Sequence, residues 1–304
     1  MISVHNKGLF ELFAAIEIVN IVLSIFSNLL LTYLILYRSA KEIGAYRFLL
    51  FTFAINDIYF PIIHYLTLPV ICTYKDAFIM FSNGFFTSRV SIMLFGVTFS
   101  QTMPLLVHLF IYRLIATKWT QKLSFYTPKT CFLIVAITLG VEWSVWFGNS
   151  YINYAPDKEF REYVQPFLDD EFNGEGWDFQ GALYYNDDGL FGWRGFIGTM
   201  FFNISLTFFM SIIIFCSFSI AIHFRNANIQ WSGTTKRLQQ QLFYTLLVQT
   251  MVPMIFVCFP CGGIINLPLL GFRLNVFPNL VSASLTIFPL IDAFIIMIGV
   301  KSYR

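Results

Sequence analysis

Apolar positions along this chain neither alternate nor keep to one helical stripe. They gather in long runs separated by short polar segments. A helix needs about 20 apolar residues to cross a bilayer core. Seven runs reach that length: 13–37, 47–71, 90–115, 130–152, 196–224, 240–264 and 276–299. The pattern predicts an all-α membrane protein, one bundle of seven transmembrane helices over residues 1–304, with a long acidic loop at 153–195. The first run is too long for a secretory h-region and lacks a small-residue cleavage pattern, so it reads as a retained span. Pro61, Pro69, Pro104, Pro253, Pro260, Pro278 and Pro289 fall inside the runs. They would break soluble helices, but neighbouring helices in a bundle re-satisfy the freed carbonyls. The chain shows no internal repeat, which weakens a transporter built from duplicated halves.

Composition agrees with lipid as the solvent: 57% of residues are hydrophobic and 12% charged, against about 25% charged in soluble domains. The net charge of +2 is uninformative, but its distribution is not. With the N-terminus outside, the cytoplasmic segments hold Arg38, Lys41, Arg47, Arg113, Lys118, Lys122, Lys129, Arg225, Lys236, Arg237, Lys301 and Arg304. The opposite side keeps Lys7, Lys75, Arg89, Lys158, Arg161, Arg194 and Arg273. Basic residues accumulate on the cytoplasmic side, so the N-terminus is expected outside and the C-terminus inside. The acids follow suit, with Asp169, Asp170, Glu171, Glu175, Asp178, Asp187 and Asp188 all in the 153–195 loop. Seven spans in this orientation are the layout of G-protein-coupled receptors, which by itself is only an analogy.

Several chemistries find no support. There is no nucleotide loop, HExxH, GxSxG or basic aromatic nucleic-acid patch, and no nucleophile–base arrangement, so neither an enzyme nor a nucleic-acid partner is expected. The five cysteines lack paired metal spacing and read as packing residues. No metal or other cofactor is expected. Span seven carries no lysine before Lys301, so a retinal Schiff base has no mid-membrane amine.

Polar residues inside the spans are the sharper signal. Counted from the inner helix ends, Asn28, Asp57 and Asp292 lie roughly 14, 15 and 11 Å deep at 1.5 Å per residue. A lone carboxyl there costs ~2.5–3.5 kcal/mol on insertion scales. The matched depth predicts an inner polar cluster; three separately satisfied residues are the bland alternative. Glu17 lies near the outer face and is expected to snorkel, whereas Glu142, mid-span, is expected to be paired or protonated. His64 and His108 lack a third ligand for a metal and read as packing histidines. Gln101 in span three, Gln249 and Thr250 in span six, and Asn279 and Ser282 in span seven fall near or above mid-membrane. Pro253 and Pro260 would bend span six just above Gln249. Phe95, Phe99, Phe202, Phe256 and Phe277 would complete a mostly apolar cavity for a small organic ligand. Interhelical hydrogen bonding is the competing explanation for the polar members.

Combined motifs carry a resemblance. The segment TTKRLQQQLFYTLLVQTMVPMIFVCFPCGGIINLPLLG resembles the sixth span of nematode serpentine chemoreceptors of the Str superfamily (classes r, J and d), through Leu238, Gln239, Gln241, Leu242, Phe243, Gln249, Thr250, Pro253, Pro260 and Gly262. Asn279, the FPLIDA segment with Pro289 and Asp292, and the terminal Tyr303-Arg304 are similar to the family's seventh span. HLFIYRL, from His108 to Leu114, resembles its third. AYRFLLFTFAINDIY resembles its second, through Tyr46, Arg47, Leu49, Leu50, Asp57 and Tyr59. The chain departs where Phe288 replaces Tyr, Ala293 replaces the motif's second proline and Leu114 replaces Tyr.

This resemblance implies a G-protein-coupled chemosensory receptor of olfactory type, in the plasma membrane of sensory cilia. Its partners would be the bilayer, a small organic ligand such as a volatile odorant, and a heterotrimeric G protein. Arg113 stands where rhodopsin-like receptors keep an arginine facing the G protein, so Tyr112, Arg113, Lys236 and Arg237 are the expected coupling surface. Tyr112 occupies the place of an acidic lock, so any lock must come from elsewhere. On its own chemistry Arg113 is expected at the water boundary, where a snorkelling anchor is the plainer role. A ligand-gated channel, a proton-coupled carrier and a decayed, non-signalling receptor remain as other readings.

Overall fold

The computed structural model describes residues 7–39, 43–172, 178–225, 233–272, 278–300 and 303. Seven helical stretches are long and apolar enough to cross a membrane. They are α1 (Lys7–Tyr37), α2 (Tyr46–Thr67), α3 and α4 (Arg89–Ser100 and Thr102–Lys118), α5 (Pro128–Asn153), α7 (Trp193–Arg225), α8 and α9 (Gly233–Pro253 and Phe259–Asn266), and α10 (Pro278–Gly299). A further helix, α6 (Lys158–Phe172), lies outside the bundle. Caps set several of the starts. Thr127 accepts from the Thr130 amide with Pro128 at the first helical position of α5, and Ser88 likewise caps α3; both satisfy donors that a helix end leaves open. Between α8 and α9 the ladder slips into a π turn, Met254–Cys258, directly after Pro253. A missing N–H accounts for such a slip.

The second span is shorter than its apolar run. Helix α2 stops at Thr67 because Leu68 takes a left-handed conformation, φ 38°, and the residue before a proline is disfavoured in the helical region. Pro69 therefore lies outside the helix and opens a strand. Strands β1 (Pro69–Tyr74), β2 (Ala77–Ser82) and β3 (Gln180–Leu183) pair antiparallel in that order. The third strand comes from the 153–195 segment. Its Gly181 is required by close approach: a Cβ there would overlap the Phe78 carbonyl.

Side chains alternate across this small sheet with period two. Ile71, Phe78 and Met80 face the bundle and pack with Phe60 and Phe95. Val70, Cys72, Ile79 and Phe81 face away. Helix α6 covers that outer face with Phe160, Tyr163, Val164 and Leu168, spaced as one helical stripe. Its remaining residues are mostly charged. The end of the bundle is thus closed by two layers, and we call it the sheet end. Opposite lies the arginine end, where Ile43, Tyr46, Tyr112 and Tyr303 belong to the largest core cluster. Helices α5 and α7 leave Phe132, Leu133, Ile204, Phe215 and Phe218 exposed, as befits faces whose solvent is hydrocarbon.

Candidate functional site

Three layers of side chains run from the sheet end to the arginine end. The first is a cavity of about 60 Å3 beneath the sheet, lined by Ile71, Phe78, Met80, Phe95, Phe99, Trp146, Ser150, Tyr154, Phe202 and Cys261 among others. Its walls are mainly aromatic, supplied by α3, α5 and α7, and its roof is the inner face of β1 and β2. Phe95, Phe99 and Phe202 stand where the apolar cavity was expected. Phe256 sits in the π turn, and its carbonyl accepts from Ser284 at 2.8 Å. Phe277 and the Asn279 side chain lie outside the described residues.

The second layer is a belt of hydrogen bonds crossing five spans. Trp143 Nε1 donates to Gln101 Oε1 at 3.0 Å, and Gln101 Nε2 donates to Asn56 Oδ1. Asn56 Nδ2 donates to Asp57 Oδ1 at 3.1 Å. The Asp57 and Asp292 side chains adjoin, and Gln249 Nε2 donates to Asp292 Oδ2 at 2.9 Å. Asn28 enters from α1, donating to the Ser24 carbonyl at 3.0 Å and the Pro289 carbonyl at 2.9 Å. Asn28, Asp57 and Asp292 are all within 1% of full burial. The structure brings the predicted acids together and joins Asn28 to the turn carrying Pro289. Asn28 Oδ1, Asp57 Oδ2 and Asp292 Oδ1 have no protein hydrogen-bond donor in reach, the signature of a site for water.

This placement reassigns most of the polar residues expected around a ligand. Gln101 and Gln249 belong to the belt, and the Thr250 hydroxyl returns to the Leu246 carbonyl at 2.8 Å. Ser282 meets His64 Nε2 at 3.2 Å. The same nitrogen faces Glu17 Oε2 at 3.3 Å, so Glu17, 4% exposed, does not snorkel. A buried carboxylate finds a better partner in a neighbouring imidazole than in distant water. His64 is likewise a packed, partnered residue. Two groups converge on one ring nitrogen while Nδ1 has no partner, which is not the two-ended geometry of a catalytic triad.

The third layer surrounds Arg113, which is 1% exposed rather than at the water boundary. Its guanidinium carbon stacks 3.6 Å above the Tyr46 ring, and its NH1 donates to Gln239 Oε1 at 3.0 Å. Stacking and a planar fork favour arginine in such a place. Nε and NH2 are left without partners. Tyr112 is wedged between Tyr46 and Tyr126, with centroids 5.5 and 5.6 Å away. Tyr303 closes the layer through a 2.8 Å hydrogen bond with Ser39. Lys236 is half-buried and Arg237 exposed on the first turns of α8, just before Gln239. The tether missing from Tyr112 is therefore supplied by α2 and α8. Tyr46 and Gln239 were visible in the motifs quoted above, whereas Asn56, Trp143, Trp146 and the sheet residues carried no such signal.

A bundle of seven helices with a roofed apolar cavity at one end and a caged arginine at the other defines a seven-transmembrane protein of receptor type. Residues 13–304 match the Serpentine type 7TM GPCR chemoreceptor Str family, to which the chain belongs. Among similar proteins is the Caenorhabditis elegans "Serpentine receptor class r-10", 24% identical over 302 residues, covering 95% of this chain and 87% of that one. The "G-protein coupled receptor str-33" of the same organism is 26% identical over 294 residues, covering 91% and 84%. Its "Serpentine receptor class J-38" is 24% identical over 293 residues, covering 91% and 86%.

Proposed function

We propose that this chain is a chemosensory receptor that takes a small, weakly polar organic ligand, volatile odorants included, into the cavity under the sheet. Binding there is relayed through the polar belt to the Arg113 layer, which engages a heterotrimeric G protein together with Tyr112, Lys236 and Arg237. The observation that carries this reading is the order of the three layers. A ligand that moves Phe99 or Trp146 acts on side chains within a turn of Gln101 and Trp143, at one end of the belt. Family membership favours a receptor over the channel and carrier alternatives. We place it in the plasma membrane, on sensory cilia, with the sheet end outside.

Gly96 tests the cavity. It lines that space, and a Cβ built on it meets nothing within 4 Å. A side chain there starts without a clash and grows into the void, and leaving glycine in a helix interior gains roughly 0.5–1 kcal/mol. Gly96→Leu is expected to abolish the ligand response while surface expression stays at the wild-type level. An unchanged dose–response curve would move the site elsewhere.

Orientation is tested separately. An epitope inserted at the Gly189 turn should label on intact cells, and one at Gly233 only after permeabilisation. The reverse pattern would invert the bundle and remove the receptor reading with it.

A further inference from the structure

A second, smaller cavity of about 30 Å3 lies below the first. Phe99, Trp146 and Phe202 line both, so the two cavities share a wall of three aromatic rings. The lower part holds two polar atoms with unmet demands on one helix face, and the upper is lined by the Tyr154 hydroxyl, also without a partner. Trp146 is 9% exposed, and its Nε1–H donates to nothing within hydrogen-bonding geometry. Glu142 Oε1, one turn earlier on the same face of α5, is buried and equally unmet. Both side chains line the lower cavity. They stand close enough to interact, yet neither closes a hydrogen bond on the other.

Leaving a buried donor and a buried acceptor open side by side is costly, and bundles normally remove such pairs by bonding them directly. The nearby Ser100 hydroxyl is already committed to the Val97 carbonyl at 2.9 Å. Resting on the cavity reading above, we propose that this pair recognises a hydroxyl group, and that the ligand class is small alcohols. The apolar body would lie in the upper cavity among Phe95, Phe99 and Phe202. The hydroxyl would enter the lower one, accept from Trp146 Nε1 and donate to Glu142 Oε1.

The chemistry of the pair discriminates. Toward a carboxylate at Glu142, a ketone or aldehyde oxygen, which only accepts, turns lone pairs to lone pairs, although it still accepts from the indole. An ammonium donates to Glu142 but cannot accept from the indole. A hydroxyl does both at one atom. Sites built to bond a hydroxyl reject the analogue without one far better than apolar walls reject a size change.

The test uses the full chain in cells with a promiscuous Gα subunit, and three probes of matched length: n-pentanol, methyl propyl ketone and n-pentane. The wild-type receptor should respond to n-pentanol at a concentration about tenfold or more below that for the ketone. Trp146→Phe keeps an aromatic ring in the shared wall and removes the N–H, and Glu142→Leu removes the acceptor. Glu142→Leu should erase the preference for the alcohol while leaving the ketone response in place, and Trp146→Phe should lower the potency of both compounds. Gly96→Leu should silence both compounds. Equal potency of alcohol and ketone, both lost in Gly96→Leu, overturns the hydroxyl assignment and retains the cavity. So does an alcohol preference that survives Glu142→Leu, or a potency of both compounds unchanged in Trp146→Phe, because the pair would then hold only a structural water. No response to any probe from a receptor present at the surface also removes the alcohol assignment. Responses that persist in Gly96→Leu overturn the cavity reading and this inference together.

Discussion

Arg113→Ala is expected to abolish G-protein activation with surface expression and ligand binding preserved. The arginine is the largest fully buried side chain among the described residues, stacked on Tyr46 and tied to Gln239. Its Nε and NH2 are buried without partners, and in the proposed reading they meet carbonyls or a carboxylate of the G protein. A charged hydrogen bond contributes about 1.5–3 kcal/mol, or roughly 10–100-fold in an equilibrium. Loss of several such bonds takes the active complex below detection. Arg113→Lys separates this role from that of a membrane anchor. An ammonium cannot lie flat on Tyr46 or present a planar fork, so the lysine variant should lose most of its coupling. Full activity of Arg113→Lys in a dose–response assay would return the residue to a simple anchor. Gln239→Leu, which frees the guanidinium from α8, should raise basal signalling in the same assay.

The acid pair should behave as one unit. Asp57→Asn and Asp292→Asn are each expected to shift basal activity or ligand potency severalfold, and the double variant should shift it by less than the product. The reason is geometric: the carboxyls adjoin across α2 and α10, and each is held from its far side, by Asn56 and Gln249 respectively. Contacting residues in one network typically couple by about 0.5–3 kcal/mol. Strict additivity in a double-mutant cycle would break the belt into separate structural contacts.

Much of this was legible beforehand, for identifiable reasons. Seven spans follow from run length alone, since no soluble architecture tolerates so many. Asn28, Asp57 and Asp292 were readable as a cluster because intramembrane polar groups must find partners and these three share a depth. The hairpin was hidden. PVICTY reads as more apolar helix after span two, and a six-residue strand cannot be told from a helix end by periodicity. Its third strand, Gln180–Leu183, comes from about a hundred residues away, and its covering helix α6 was concealed in a loop noted only for its acids. Glu17 and Arg113 were both expected to reach water because depth arithmetic places a residue along a helix without saying which neighbours it faces. Their partners, His64 and Tyr46, lie on another helix. Gln101 and Gln249 had the expected height, and their side chains join the bundle's own hydrogen-bond network.

The closure of the sheet end has a thermodynamic consequence. All five cysteines are buried free thiols, and burial in β1 pushes the Cys72 thiol up to about 12, so it stays protonated and inert. The 153–195 segment is instead fastened to the bundle by the short ladder of β3 on β2 and by the Asp178 carboxylate, which accepts from the Arg89 amide at 2.7 Å. A covalent tether would have fixed the roof permanently and made it sensitive to the redox poise of its surroundings. Held by noncovalent contacts alone, β3 on β2 and the α6 stripe on the sheet, the segment can open locally without the bundle melting. That equilibrium is indifferent to reductants and adjustable by single substitutions in β3 or α6.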